Sequence, residues 1–303
     1  MEKQYINSIS DYLQIIERLH QAYRNSMFHS PVSMDFIFRG MESEKYQLLP
    51  TIFRTSIHHE ILDTEEQQLD NHKYLTYGSE QSILKSFKAE AVAYTIQYSP
   101  NNDLEWMELA QHYGVPTRLL DWTSNPLVAL YFACESNSSD DAVIWICNAS
   151  NYTYYVSRRE QREYLTSLND AVSRFFDDEE VNNEAFLPVY PSIFIPFYYD
   201  LRMSAQSSCF MMWGSNEKSL EEQLEENAFM KRRVRDIQPY DIDDVPTEEC
   251  VLKVFVHQSE KQILMRKLDQ IGINRKTLFP GLDGVGQYIE RKFRFDYNEF
   301  LRG

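Results

Sequence analysis

The chain has 303 residues, 43% of them apolar and 14% aromatic, which supports one large domain or two small ones with a sizeable core and argues against extended disorder. A formal net charge of −16 repels a phosphate backbone over most of the surface and excludes general coating by nucleic acid, leaving only a locally basic cleft open to one. The opening MEKQYINSIS has no apolar run, and the longest such run, Leu127 to Cys134, is far shorter than the roughly 20 residues of a membrane span, so the expectation is a soluble, cytoplasmic protein without membrane contact.

In chain order, Tyr12, Ile15, Ile16, Leu19 and Tyr23 recur at helical spacing and predict an amphipathic N-terminal helix over 8–24. DFIFRG, Asp35 to Gly40, reads as a buried strand with Arg39 at its end. The polar stretch 57–78 reads as loop or solvated helix. From Glu80 a long helix is expected, with Leu84, Phe87, Ala91, Tyr94 and Tyr98 on one stripe and a stop before Pro100. Asn102 with Glu105 forms a capping box for the next helix, whose stripe is Trp106, Leu109, Ala110 and Tyr113. Gly114 ends it and Pro116 cannot continue it.

Thr117 to Thr123, TRLLDWT, reads as extended. Ser124 or Asn125 then caps a helix with Pro126 in its first turn, and LVALYFAC is apolar nearly all round, so that helix is buried. Ala142 to Cys147 predicts a strand, 149–190 an insertion, and SIFIPF and CFMMW two further extended runs. EKSLEEQLEEN and KRRVR read as solvated faces. CVLKVFV predicts a strand, Ser259 and Gln262 a capping box before a helix closed by Gly272, and FPGLDG a turn before a last short helix. This order predicts an α+β fold with a mixed or antiparallel central sheet and flanking helices. The core is then 36–147 and 192–290.

Several charged groups fall between buried elements, where a charge is costly unless paired or used. Arg39 can fork two hydrogen bonds to a phosphate or carboxylate, or pair internally with Asp121 or Glu135. Arg118 and Asp121, three apart in an extended segment, project to opposite faces, as a ligand site or an internal salt bridge. His112, four residues after Glu108, is either an acid–base group held by a carboxylate or a helix-end histidine. Tyr113 and Trp122 either stack on a ring or belong to the core. Cys134, Cys147, Cys209 and Cys250 lack CxxC spacing and read as reduced, buried thiols, and the histidines show no metal spacing, so no metal is expected. No GxGxxG, GxSxG or HExxH pattern occurs.

Phe38-Arg39-Gly40, the run YQLLPTIFR from Tyr46 to Arg54, QHYGVPTRLLDWTSNPLVALYFA from Gln111 to Ala133, and a C-terminal pattern of Lys261, Gly272-Ile273 and LFPGLDG together resemble the FRG domain. The resemblance spans about Phe36 to Tyr288 and implies a single FRG domain over 1–303. Where that family shows a glycine shortly after a glutamine, this chain has Gln206-Ser207-Ser208-Cys209-Phe210. A strand ending in Arg39-Gly40, followed by Asp121 to Ser124 leading into an apolar helix, also resembles the first two motifs of the ADP-ribosyltransferase fold. Gln206 stands nearest the third motif, a glutamate in that fold.

These resemblances imply an NAD or nucleotide cleft. In it Arg39, Gly40, Tyr113, Thr117, Arg118 and Thr123 bind the ligand and His112, Asp121 and Gln206 act on it, in a toxin or phage-defence role against a protein or nucleic-acid target. The alternatives are a non-catalytic sensor or protein-binding module, and a metal-independent nuclease with His112 as base.

Overall fold

The computed structural model describes residues 5–24, 36–54, 80–94, 99–136, 138–153, 172, 173, 176, 187–226, 234–236 and 250–300. Its centre is a seven-stranded sheet built from β1 (Phe36–Met41), β2 (Leu119–Thr123), β3 (Ala142–Asn148), β4 (Ser192–Phe194), β5 (Ser208–Met212), β6 (Val234–Asp236) and β7 (Val251–Val256). The spatial order is β4-β5-β2-β1-β3-β7-β6. All neighbours are antiparallel except β6 and β7. The sheet is mixed and the fold is α+β.

Both faces are covered, which explains why the central strands are apolar runs rather than alternating ones. All of β3 is buried. On one face lie α1 (Ile9–Arg24), α4 (Pro126–Cys134) and α7 (Lys261–Gln270), packed on Phe36, Phe38, Ile144, Ile146, Leu252 and Val254. On the other face Ile37, Trp122, Trp145, Cys147 and Met211 meet Ile52 and Phe53 and the short helix α6 (Leu220–Glu226). A third cluster joins α3 (Asp103–His112) and α5 (Leu201–Ala205) to Leu119, Phe210 and Met212 at the β4-β5-β2 end. All four cysteines are free and buried.

The caps act as local chemistry dictates. The Asn102 side chain accepts from the Glu105 backbone N–H, while the Glu105 carboxylate accepts from Asn101 N–H at 2.7 Å and from Asn102 Nδ2 at 3.0 Å. Gly114 takes φ +83 after α3, and Asn125 caps α4 by accepting from Leu127 N–H. Gly40 permits the closest contact between layers: a Cβ there would stand 1.8 Å from the Ala129 carbonyl oxygen of α4.

Five local expectations are corrected. Helix α2 covers residues 80–91 and does not run to Pro100, and Tyr94 is exposed. The buried face of α3 is Leu104, Met107, Leu109 and Ala110 with Glu105 and Glu108; Trp106 is half-buried and Tyr113 is 70% exposed. Ser259 does not cap α7. Gln258–Glu260 forms a separate turn, in which the His257 side chain accepts from Ser259 N–H. The acidic stretch around α6 is solvated on one side only: Glu222, Glu225 and Glu226 are exposed, while Leu220 and Leu224 are buried and Glu221 accepts from Leu48 N–H at 3.0 Å. The last helix is long: after α8 (Arg275–Leu278), α9 spans the 19 residues Leu282–Phe300.

The readings of 57–78 and of Tyr98 lie outside the described residues, as do those of Lys231 to Arg233 and of most of 149–190. No helix among the described residues is long and apolar enough to cross a membrane.

Candidate functional site

The sheet is incomplete at its middle. β3 pairs with β1 and with β7 through six residue pairs each, and β2 with β5 through five, whereas β1 and β2 share one, Phe38 with Thr123. The chemistry gathers at this gap. A cleft of about 1170 Å³ opens there, lined by Phe38 to Glu42 from β1 and its end, Asp121 to Thr123 from β2, Glu108, Gln111 and His112 of α3 at one side, and Arg202 and Met203 of α5 with Arg275 of α8 at another. Drug-sized ligands occupy cavities of roughly 300–1,000 Å³, so this one is large enough for a small-molecule ligand.

The strand does not end at Arg39 as expected but runs on to Met41; from within β1, Arg39 donates from Nη1 to the Asp121 carbonyl, bonding across the gap where the ladder lapses. Its Nε is buried without a hydrogen-bond partner. Burial lowers its pKa, Asp121 acts against that, and Arg54 adds to it. The Asp121 carboxylate is exposed in the cleft and accepts from Gln111 Nε2 at 3.2 Å. Gln111 in turn accepts from Thr117 Oγ1 at 2.6 Å and donates to the Leu119 carbonyl at 3.3 Å. Thr117 thus acts through Gln111 on Asp121.

Arg118 does something else. It is 3% exposed, and its Nε donates to both Glu80 oxygens at 3.0 and 2.9 Å, its Nη2 to Glu80 Oε2 at 2.5 Å and its Nη1 to the carbonyls of Trp213 and Gly214 at 3.3 and 3.0 Å. It clamps α2 to the sheet, away from the cleft.

Of the residues singled out beforehand, Arg39, Gly40, His112, Asp121, Thr123 and Gln206 line the cleft, while Tyr113, Thr117 and Arg118 do not. Thr123 Oγ1 donates to the Gln206 carbonyl at 2.6 Å, and Gln206 Nε2 donates to the Leu278 carbonyl at 3.0 Å. Ser207, next to Gln206, is the one described non-glycine residue with positive φ, at 48°. The backbone is strained at Ser207. His112 Nε2 lies 3.8 Å from Asp200 Oδ2, so the carboxylate beside it is Asp200 and not Glu108. Burial lowers the His112 pKa.

Four further charged residues of the cleft were not marked as site residues in the sequence, although Arg54 closes the run from Tyr46 and Glu108 precedes His112 by four positions. Arg54 donates from Nε to the Leu49 carbonyl at 3.2 Å; Arg202 lies 4.7 Å from the Phe279 ring centroid, with its pKa lowered by burial; Arg275 covers the same ring at 3.6 Å and pairs with Glu135 at 2.8 Å. Glu108 is buried, and its pKa is raised to about 8, by burial first and by Glu105 second. These residues come from distant parts of the chain, so no spacing joins them in one site. The RxxDW pattern, by contrast, advertised Arg118, which lies outside.

The lining carries six lysine or arginine side chains and four carboxylates, in a chain of net charge −16. Arg39, Arg54 and Arg202 have no carboxylate within ion-pair distance among the described residues. The cleft is the locally basic exception that the composition left open.

Residues 34–142 match the family model of the FRG domain. That segment contains β1, α3, β2 and α4, hence the gap in the sheet and two walls of the cleft. β4, α5, β5, β7 and the C-terminal helices, including Arg202 and Arg275, lie beyond it. No curated protein and no solved structure matches the chain.

Proposed function

We propose that the FRG-domain cleft binds a phosphate-bearing nucleotide, with NAD as the first ligand to test. The observation that carries this reading is the set of three arginines, Arg39, Arg54 and Arg202, without carboxylate partners among the described residues, in a cleft of an acidic protein. An unpaired guanidinium near a protein interior is costly, and an anion with two oxygens completes it with parallel hydrogen bonds. Arg39 and Arg54 take phosphate, and the unpartnered Arg39 Nε offers one ready donor. Asp121, oriented by Gln111, accepts from sugar hydroxyls. Phe38, Phe132 and Phe210 supply apolar surface for rings.

The ADP-ribosyltransferase resemblance supports the same site. Arg39 lies in the second half of β1, Asp121 to Ser124 covers the end of β2, and Gln206 lies two residues before β5, and these three strands are neighbours. The third position holds an amide bound to the Leu278 carbonyl rather than an acid. This favours a second reading of the same cleft as a nucleotide sensor without turnover. NAD when bound would supply an activated glycosidic bond; the chain's own residues bind its phosphates, orient its ribose and exclude water.

The test is a thermal-shift and calorimetric titration with NAD and ADP-ribose, together with an assay for released nicotinamide. Binding by the wild-type chain and loss of at least about ten-fold in affinity in Arg39→Ala, with an unchanged melting temperature, is expected. No shift with either ligand would sink the proposal. Binding without nicotinamide release selects the sensor. For the toxin or defence role, which rests on the resemblance alone, expression in bacteria should arrest growth in an Arg39-dependent way if NAD is consumed.

A further inference from the structure

Glu108 is a buried group of the cleft whose chemistry the phosphate reading leaves unused. It sits on the inner face of α3, 3% exposed, with Oε2 buried and without a hydrogen-bond partner, yet it lines the cleft. No Lys, Arg or His lies within ion-pair distance of it among the described residues. A carboxylate in that setting pays for neither its desolvation nor its charge, so the group keeps its proton.

A neutral carboxyl presents a donor and an acceptor side by side, and rotation about its last bond exchanges the two. With Oε2 buried, the other oxygen is the one that faces a ligand, and its complement is an edge that carries an acceptor or a donor. Two parts of a dinucleotide have such an edge, the carboxamide of nicotinamide and the amino edge of adenine.

We propose that Glu108 is a recognition residue of the cleft that, as an un-ionised carboxylic acid, forms a hydrogen bond through its one accessible oxygen with the carboxamide or amino-heterocycle edge of the bound nucleotide. This rests on the nucleotide reading above and deepens it: the arginines select the phosphate and Glu108 selects the base. The fold leaves Glu108 unpaired at a cost to stability, as expected of a group kept for a ligand.

The charged surroundings are consistent with this. Glu105 on the same helix raises the Glu108 pKa after burial itself. His112, also on α3, has its pKa lowered by burial. From the other elements around the cleft, Arg39 of β1, Asp121 of β2 and Arg202 of α5 are charged groups of the lining, and none of them pairs with Glu108 among the described residues.

The experiment compares wild type, Glu108→Gln and Glu108→Leu for binding of AMP, nicotinamide mononucleotide and ribose 5-phosphate at about pH 6.5 and about pH 9, with melting temperatures alongside. Glu108→Leu should melt higher than wild type, since an apolar isostere relieves an unpartnered polar group. It should bind whichever base-bearing ligand docks at α3 at least about ten-fold more weakly, with ribose 5-phosphate unchanged.

AMP and nicotinamide mononucleotide tell the two edges apart. Glu108→Gln keeps a donor and an acceptor, so it should bind like wild type at the lower pH and lack the wild-type weakening at the higher one. Equal loss for all three ligands, or a lower melting temperature in Glu108→Leu, overturns the inference and makes Glu108 structural. Unchanged base discrimination also overturns it while leaving the phosphate site standing. If wild type binds none of the three, the nucleotide reading fails and this inference with it.

Discussion

Arg39 and Arg118 look alike in the sequence, each an arginine beside a buried strand, and they differ in what surrounds the guanidinium. Arg118 is saturated by Glu80 and two carbonyls; Arg39 holds one carbonyl and keeps a buried, partnerless Nε. Removing one side of a buried pair strands the other charge, so Arg118→Met should destabilise by about 3–5 kcal/mol, read by chemical denaturation. Glu80→Leu combined with Arg118→Met should recover most of that. A double variant as unstable as the single would mean that the carbonyls of Trp213 and Gly214, not Glu80, set the cost.

Glu108 adds a pH signature at the same scale. An acid whose folded pKa is raised above its unfolded value binds a proton more tightly in the native state, so it favours folding most below the unfolded pKa. That stability fades as pH climbs from the unfolded value of 4.5 toward about 8 and is gone above it. Relative to Glu108→Gln, the wild-type chain should therefore lose a few kcal/mol between about pH 5 and pH 8. Parallel stability curves for the two proteins would contradict this.

Among the elements, those set by short-range chemistry were legible. Asn102 with Glu105, Asn125 with Pro126, and Gly114 each act within a few residues, and α3 and α4 begin and end where these residues say. Apolar runs likewise located β1, β3, β5 and β7. Hidden were features that depend on closure of the whole sheet: the single pair between β1 and β2, the Glu80–Arg118 clamp across 38 positions, and an inner face of α3 that includes two glutamates. Periodicity assigns charged residues to the outside, so it placed Trp106 and Tyr113 inward where Glu105 and Glu108 go.

Gly40 makes the same point about packing. It lines the cleft, yet its missing side chain answers to α4, since a Cβ would stand 1.8 Å from the Ala129 carbonyl oxygen and 2.6 Å from the Ala133 nitrogen. Both are backbone atoms and cannot swing aside. Gly40→Ala should force α4 off β1, where Phe38, Ala129 and Ala133 belong to one core, and lower stability by about 3 kcal/mol or more. A melting temperature within a degree or two of wild type would show that α4 has slack the packing does not suggest.

At the scale of the molecule, the contrast between a net charge of −16 and a cleft with more cations than carboxylates sets which anions enter. A mononucleotide or dinucleotide places its few charges inside the gap between β1 and β2, within reach of Arg39, Arg54 and Arg202. A polynucleotide carries a charge every few ångströms and would lay most of them across an acidic exterior. Only phosphates inside the cleft gain, and the others are repelled over a screening distance of about 8 Å at physiological salt.

The chain should therefore bind small nucleotides but leave a single-stranded DNA or RNA oligomer of about 20 nucleotides free at about 150 mM salt, as read by fluorescence anisotropy. Tight binding of the oligomer would revive the nuclease alternative with His112 as its base. In that case, Arg39→Ala would distinguish threading through the cleft, which it weakens, from docking on a surface elsewhere, which it leaves intact.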